Sequence, residues 1–373
     1  MGAGPMDAES DIRWMRAALA LAERGLGRVW PSPSVGCVVV RDGRLVGAGW
    51  TQPGGRPHAE AMALEAAGER ARGATGYVSL EPCNHHGRGA PCSDALVAAG
   101  LSRVVVACGD PDPRTNGAGI ARMRHAGIRV DEGLLAQEAR AQNEGFFRRV
   151  EEGRPLVTLK LATTLDGRIA TRSGESKWIT GPVARSWTHG LRAGHDAVMV
   201  GIGTALADDP ELTCRLPGME DRSPVRIVVD SRLRLPLTSK LVATARSVPT
   251  WVVTLAGGDR LRAAAFRDAG VELVEVPDGP GHEMEVEPLL GALAARGLTR
   301  VLVEGGARLA ASLFRARLVD RLEWFRAPLL IGGDGLPAAM GFGIDGLAEA
   351  RAFVRTAVRH AGDDLWESYA RQR

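Results

Sequence analysis

The chain has 373 residues, a length that fits about two domains. Its 47 basic and 44 acidic side chains leave a net charge of +3, and hydrophobic residues make up 45%. That balance leaves no excess of charge pointing to DNA, RNA or an anionic membrane, while a few local Arg residues still suffice for a small phosphorylated substrate.

In chain order, the opening Met1 to Ile12 has no basic stretch leading into an apolar core, so no signal peptide is expected. No apolar run reaches the roughly 18–20 residues that span a bilayer. Five cysteines in so long a chain do not make a secreted disulfide framework, so a cytoplasmic location is expected. Ile12, Met15, Leu19 and Ala22 recur at helical spacing, predicting a helix over 11–24 capped by Ser10 or Asp11. Residues 35–40 and 45–48 read as strands joined at Asp42-Gly43, a hairpin signal. A helix over 58–70, a strand at 77–80, a helix ending near Gly100, a strand at 104–107 and a helix closing near Gly127 complete an α/β sandwich. The pattern breaks at Glu151-Glu152-Gly153-Arg154-Pro155, which divides the chain into expected domains 1–152 and 153–373. The second half alternates again, with strands expected at 156–161, 197–200, 226–229, 250–255, 272–276, 301–304, 322–331 and 351–358.

The chemistry of the first half lies in Pro57-His58-Ala59-Glu60 and, 25 residues after the histidine, Pro82-Cys83, followed by Cys92. One imidazole and two thiolates offer a zinc ion three ligands and leave the fourth tetrahedral position open to water, which marks a catalytic rather than a structural site. Glu60 can face the same cavity without ligating the metal. There it would take a proton from the water, whose pKa zinc lowers towards ~7, and pass it to a leaving amine. This is the H-x-E…P-C…C signature of zinc nucleobase deaminases, with eight residues between the cysteines instead of the usual two. His85 and His86 lie in that insert and read as pocket or loop residues, while Cys37 and Cys108 read as core.

The insert Asn84-His85-His86-Gly87-Arg88-Gly89-Ala90-Pro91, taken with Pro31-Ser32-Pro33-Ser34-Val35-Gly36-Cys37, resembles the deaminase half of the bifunctional riboflavin-biosynthesis deaminase–reductases. The family usually carries Asn where this chain has Ser32, which shortens the reach of that side chain. In the second half no G-x-G-x-x-G turn follows the first strand, so a Rossmann site is not indicated. Instead Val301-Leu302-Val303-Glu304-Gly305-Gly306 runs from a strand through two glycines towards a helix, a junction that exposes backbone N–H groups. Together with the blocks Lys160 to Ala170, Ser176 to Thr180, Asp196 to Thr204 and Asp208 to Thr213, it resembles the reductase half of the same family.

The resemblance implies a cytidine-deaminase-like three-layer α/β domain followed by a dihydrofolate-reductase-like domain. One Zn2+ per chain would sit on His58, Cys83 and Cys92, with Glu60 catalytic. NADPH would meet Ala162, Trp178, Thr204, Asp208 and the turn Gly306, Ala307, Arg308 and Leu309, while Ser231, in the polar turn Asp230-Ser231-Arg232, offers a place for the adenosine 2′-phosphate. Substrate would meet Ser176, Arg192, Leu212, Arg215 and Glu304, the two arginines offering forked donors to a ribose phosphate. The implied activity is zinc-hydroxide deamination of diaminohydroxyphosphoribosylaminopyrimidine, then NADPH reduction of the ribosyl group to ribityl, in a self-associating enzyme. The rival reading is an RNA deaminase with a nucleic-acid-binding second half. It would need a basic patch with interleaved aromatics, whereas aromatics are 5% of the chain.

Overall fold

The computed structural model describes residues 5–86 and 89–372. The remainder includes the first residues of the opening segment and Gly87 and Arg88 of the insert, which lie outside the described residues. The chain divides into two compact units, Met1–Gly153 and Arg154–Arg373.

In the first unit α1 (Pro5–Ala22) leads to the strands β1 (Gly36–Arg41) and β2 (Arg44–Trp50). Asp42 and Gly43 between them both take positive φ, 51° and 69°, as a two-residue hairpin that follows the strand twist requires. Then come α2 (Ala59–Ala67), β3 (Thr75–Val78), α3 (Cys92–Ala98), β4 (Arg103–Val106), α4 (Ala118–His125), β5 (Arg129–Glu132), α5 (Ala136–Gln142) and α6 (Glu144–Glu152). The sheet order is β2-β1-β3-β4-β5, antiparallel around β1 and parallel from β3 to β5. Alternation along β1 explains the layers. Cys37 and Val39 point into one core with Ala59, Ala63, Leu96 and Met123, while Val38 and Val40 point into the opposite core with Met15, Ala18 and Tyr77. Glycine brings α2 down onto β2: a Cβ at Gly47 would meet the Ala63 carbonyl oxygen at 2.1 Å, and one at Gly49 the Ala59 oxygen at 2.5 Å. The start of α2 is therefore held against the sheet.

The helix start expected at Ser10 or Asp11 is corrected. Since α1 begins at Pro5, Asp11 lies inside the helix. It is 8% exposed and accepts from Tyr77 Oη (2.6 Å) and from both Nη atoms of Arg103 (2.9 and 2.7 Å). Its carboxylate joins helix to sheet instead of capping.

The second unit runs β6 (Leu156–Thr163), β7 (Arg168–Ala170), α7 (Pro182–Ala193), β8 (Ala197–Gly201), α8 (Ile202–Asp208), β9 (Val225–Val229), α9 (Lys240–Ala243), β10 (Thr250–Leu255), α10 (Arg260–Asp268) and β11 (Glu272–Val276). It continues with α11 (Val286–Ala295), β12 (Arg300–Val303), α12 (Ala307–Arg315), β13 (Arg321–Arg326), β14 (Leu336–Pro337), β15 (Phe353–Ala361) and β16 (Asp364–Arg371). Nine strands form one sheet in the order β11-β10-β9-β8-β12-β6-β13-β16-β15, parallel through β13, with the β15–β16 hairpin antiparallel at one edge. β15 carries a bulge between Arg355 and Ala357. The near-continuous apolar runs of β8, β9 and β10 follow from burial on both faces. From β8 the chain leaves towards β9 on one side, and from β12 it crosses β6 to β13 on the other. Chain direction thus diverges between β8 and β12, and in open α/β sheets a crevice for ligands forms at such a point, outside the carboxyl ends of the strands. No helix among the described residues is long and apolar enough to cross a membrane.

Candidate active sites

His58 stands immediately before α2 with extended backbone (φ −72°, ψ 161°), and Cys92 is the first residue of α3. His58 Nδ1 lies 3.3 Å from Cys92 Sγ and 3.6 Å from Cys83 Sγ. A tetrahedral ion with Zn–S of ~2.3 Å and Zn–N of ~2.0–2.1 Å sets nitrogen and sulfur about 3.6 Å apart. The triangle therefore has the size and the donor chemistry of a zinc site. A hydrogen bond joins the two cysteine side chains. The hydrogen bond from Cys92 pulls the Cys83 thiol down to about 4, and the same contact pushes the Cys92 thiol up. A metal that displaces this proton ties zinc binding to thiolate formation.

Glu60 is only 3% exposed, and burial pushes its carboxyl above the ordinary carboxylate range against the pull of His58. Neither His85 nor His86 belongs to the ligand group among the described residues. His85 Nδ1 lies 3.4 Å from Thr115 Oγ1, and His86 is exposed. Cys37 is fully buried in the core, and Cys108 packs partly buried beside it, its Sγ 3.6 Å from the Ser79 carbonyl. Ser32 packs against Gly55, where a Cβ would come within 2.5 Å of its Oγ.

One residue that the motif reading passed over organises this site. Glu81, 3% exposed, accepts from the backbone N–H groups of Gly117 (2.9 Å), Gly119 (3.0 Å), Ile120 (3.2 Å) and Asp110 (3.3 Å). Two residues before Cys83, it binds the loop 109–117 and the start of α4 to the zinc-ligand segment.

Zinc should shield its own ligands from chemistry. Iodoacetamide is expected to leave the thiols of the zinc-loaded protein largely unmodified and, after chelation, to label Cys83 first, while Cys37, Cys92 and Cys214 stay protected by burial. Peptide mass spectrometry reads this directly, and prompt labelling of Cys83 with zinc present would contradict it.

In the second unit the diverging strand ends carry the expected cofactor residues. Gly201 donates its N–H to the Gly305 carbonyl at 3.1 Å, and Thr204 Oγ1 lies 2.9 Å from where a Cβ on Gly306 would stand. Thr204 and the turn Gly306 to Leu309 are thus brought together, with Gly306 preceding the first residue of α12. Asp208 closes α8, and Ser231 is half-buried after β9, its carbonyl accepting from Thr254 Oγ1 at 3.3 Å. Ala162 lies on β6 opposite Phe325 of β13. Trp178 is 68% exposed, with the Arg185 guanidinium 4.6 Å from its ring, so it presents a bare aromatic face and is no core residue. Ser176 is half-buried in the same loop.

The arginines differ from expectation. Arg192 does not offer an open fork, because Nε and Nη2 bind the two oxygens of Glu304 at 2.6 and 2.8 Å and Nη1 donates to the Thr213 carbonyl at 2.9 Å. Its planar donors match a carboxylate as well as a phosphate, and the nearby carboxylate takes them. Arg215 is exposed and paired with Glu211 at 2.8 Å. Leu212 is buried with φ of 55°. Lys160, missed as a site residue, lies on β6 one position beyond the residue paired with Val303, beside Glu304. Burial pulls its amine below the usual lysine range against the Glu304 charge.

The first unit is thus built as a zinc deaminase and the second as a nucleotide-dependent reductase. The family models agree: the cytidine and deoxycytidylate deaminase zinc-binding region matches residues 8–108, and the RibD C-terminal domain matches 155–357. The riboflavin biosynthesis protein RibD of Escherichia coli is 41% identical over 366 residues, covering 95% of this chain and 98% of that protein. Its counterpart in Aquifex aeolicus is 41% identical over 357 residues, covering 96% and 97%. Among solved structures, RibD of Acinetobacter baumannii superposes with a TM-score of 0.88 at 37% identity, covering 98% of this chain and all of that one. A diaminohydroxyphosphoribosylaminopyrimidine deaminase/5-amino-6-(5-phosphoribosylamino)uracil reductase from Thermotoga maritima does so at 0.85 and 34%, with 98% of this chain covered. The chain belongs to the RibD family of bifunctional deaminase–reductases of riboflavin biosynthesis. Its folds are cytidine-deaminase-like and dihydrofolate-reductase-like, and its cofactors are zinc and NADPH. The RNA-deaminase alternative falls, because the second half matches a reductase domain and not a nucleic-acid-binding module.

Proposed function

We propose that residues 1–152 deaminate diaminohydroxyphosphoribosylaminopyrimidine and that residues 153–373 reduce the ribosyl group of the resulting aminouracil to ribityl. The observation that carries the first half is the His58–Cys83–Cys92 triangle with buried Glu60 two residues from His58. Zinc held there supplies a Lewis acid that lowers the pKa of a water, and NADPH held in the second crevice supplies hydride. Glu60 takes the water's proton as the oxygen–carbon bond forms, then returns it to the departing nitrogen, so that the carbon–nitrogen bond breaks and ammonia leaves. His58, Cys83 and Cys92 hold the metal. Glu81 keeps the loop 109–117 in place beside them.

In the reductase, Thr204, Asp208, Ser231 and the turn Gly306, Ala307, Arg308 and Leu309 bind NADPH, with Ala162 and Trp178 flanking it. Ser176, Leu212 and Arg215 bind substrate. Glu304, held by Arg192, lies with Lys160 where the reacting sugar would sit. The hydride would form the C1–H bond as the ring C1–O4 bond opens, and Lys160, beside Glu304, would hold the proton that O4 takes up. The same reading includes a cytoplasmic homo-oligomer, which sedimentation and cell fractionation check.

The test follows ammonia release and NADPH oxidation separately on purified protein with the phosphoribosylated diaminopyrimidine. Ammonia first, with NADPH oxidised only after it, supports both halves in this order; neither signal from zinc-loaded protein rejects the substrate. Gly306→Ala should raise the KM for NADPH by roughly tenfold and leave ammonia release unchanged, because its Cβ would crowd Thr204 Oγ1 at 2.9 Å. Titration of the variant with NADPH checks this, and an unchanged KM would remove that turn from the cofactor site.

A further inference from the structure

α7 carries His189 and Arg192 one turn apart, and both reach the segment 211–215. His189 Nδ1 lies 3.0 Å from the Thr213 carbonyl oxygen and 3.2 Å from the backbone nitrogen of Arg215. One ring nitrogen cannot serve both. The carbonyl needs a proton on Nδ1, whereas the N–H needs its lone pair. The neighbours decide between them. The Thr213 oxygen already accepts from Arg192 Nη1 at 2.9 Å, while the Arg215 N–H points to His189. The assignment that leaves both backbone groups with a partner is a neutral imidazole protonated on Nε2, with Nδ1 accepting from the Arg215 N–H and Arg192 serving the Thr213 oxygen.

We propose that His189 is a positioning residue of the reductase: its neutral ring holds the backbone of Arg215, and with it the segment from Leu212, in the conformation that receives the substrate. This rests on the reading that 211–215 meets the reductase substrate. The segment has few other anchors of this kind. Arg226 Nη1 donates to the Glu211 carbonyl at 3.3 Å, and Ser223 Oγ accepts from the Cys214 N–H at 3.1 Å. Neither touches Arg215, whose side chain bends back to Glu211 and Thr213 Oγ1.

Protonation would reverse the latch. An Nδ1–H donates to the Thr213 oxygen and releases the Arg215 N–H. The charged groups facing the ring are Arg192 on its own helix, Arg215 on the segment, itself paired with Glu211, and Glu304 just after β12. Burial, followed by the Arg192 and Arg215 charges, holds the imidazole below its ordinary range, against Thr213 O and Glu304. The latch is therefore closed at neutral pH and opens on the acid side.

The test measures the reductase step alone, with the phosphoribosylaminouracil and NADPH, for wild type, His189→Gln and His189→Leu from about pH 5 to 8. Gln keeps an acceptor for the Arg215 N–H but does not titrate; Leu keeps neither. At about pH 8, His189→Leu should raise the substrate KM roughly fivefold with kcat changed less, and His189→Gln should stay near wild type. Below about pH 6 the wild-type KM should rise more steeply than that of His189→Gln, whose remaining acid limb is the substrate phosphate's own. A nitrogen-15 spectrum of the wild-type imidazole should show Nδ1 unprotonated and Nε2 protonated at neutral pH. A wild-type KM in His189→Leu, identical acid limbs in wild type and His189→Gln, or a protonated Nδ1 at neutral pH would each overturn the proposal. Absence of reductase turnover in the wild type would instead reject the substrate reading, and the spectrum would still decide the latch.

Discussion

Glu60→Gln should lower ammonia release by about a thousandfold while reduction of separately supplied aminouracil continues at the wild-type rate. The two residues have nearly the same shape, so packing around position 60 survives. What is lost is a group that can accept a proton and hand it on, because an amide does neither. The burial that raises the carboxyl also excludes water that could stand in for it. Zinc should stay bound at one equivalent, since the ligand triangle is complete without this side chain. Metal analysis beside the two half-reactions separates the outcomes. Loss of zinc would make Glu60 a structural residue, and undiminished ammonia release would remove it from the chemistry.

The second large effect is expected at Glu81. Glu81→Ala strips four N–H groups, three of them buried, of their acceptor at once. An orphaned buried donor costs about 1–3 kcal/mol, so with partial relaxation the first unit should lose on the order of 4 kcal/mol. Glu81→Gln should cost less, because one oxygen remains, although its amide nitrogen then faces backbone donors. Denaturant unfolding followed with probes in each unit is the measurement. A two-unit chain need not unfold in one step, and only the transition of the first unit should move. A shift in both transitions, or in neither, would contradict this role. Zinc affinity should fall in parallel, since the clamp sits two residues from Cys83.

The contrast between these residues shows what the sequence could reveal. His58, Glu60, Cys83 and Cys92 were legible because their chemistry needs particular side chains at particular spacings, and the hairpin was legible because Asp42-Gly43 is a local demand of the backbone. Glu81 was not, because its partners lie 29 to 39 residues further on and are backbone groups with no side-chain signature. The Arg192–Glu304 pair joins residues 112 apart; the resemblance gives each to the substrate, and only their proximity shows that one occupies the other. Element ends moved as well. The strand expected over 322–331 stops at Arg326, just before Ala327-Pro328, where proline has no N–H for the ladder. β16, with charged and aromatic residues mixed along its length, carries no simple alternation and was passed over.

The two margins of the nine-stranded sheet also bear on how the protein behaves in a crowded solution. One ends in β11, whose Glu272 and Glu275 pair with Arg296 and Arg267. The other ends in β15, where a bulge breaks the ladder between Arg355 and Ala357 and Arg359 follows. An incoming strand would have to strip ion pairs at one border or match an interrupted hydrogen-bond pattern at the other. Both borders therefore resist the edge-to-edge growth through which β-rich chains aggregate, although Val354 and Val358 remain in the open.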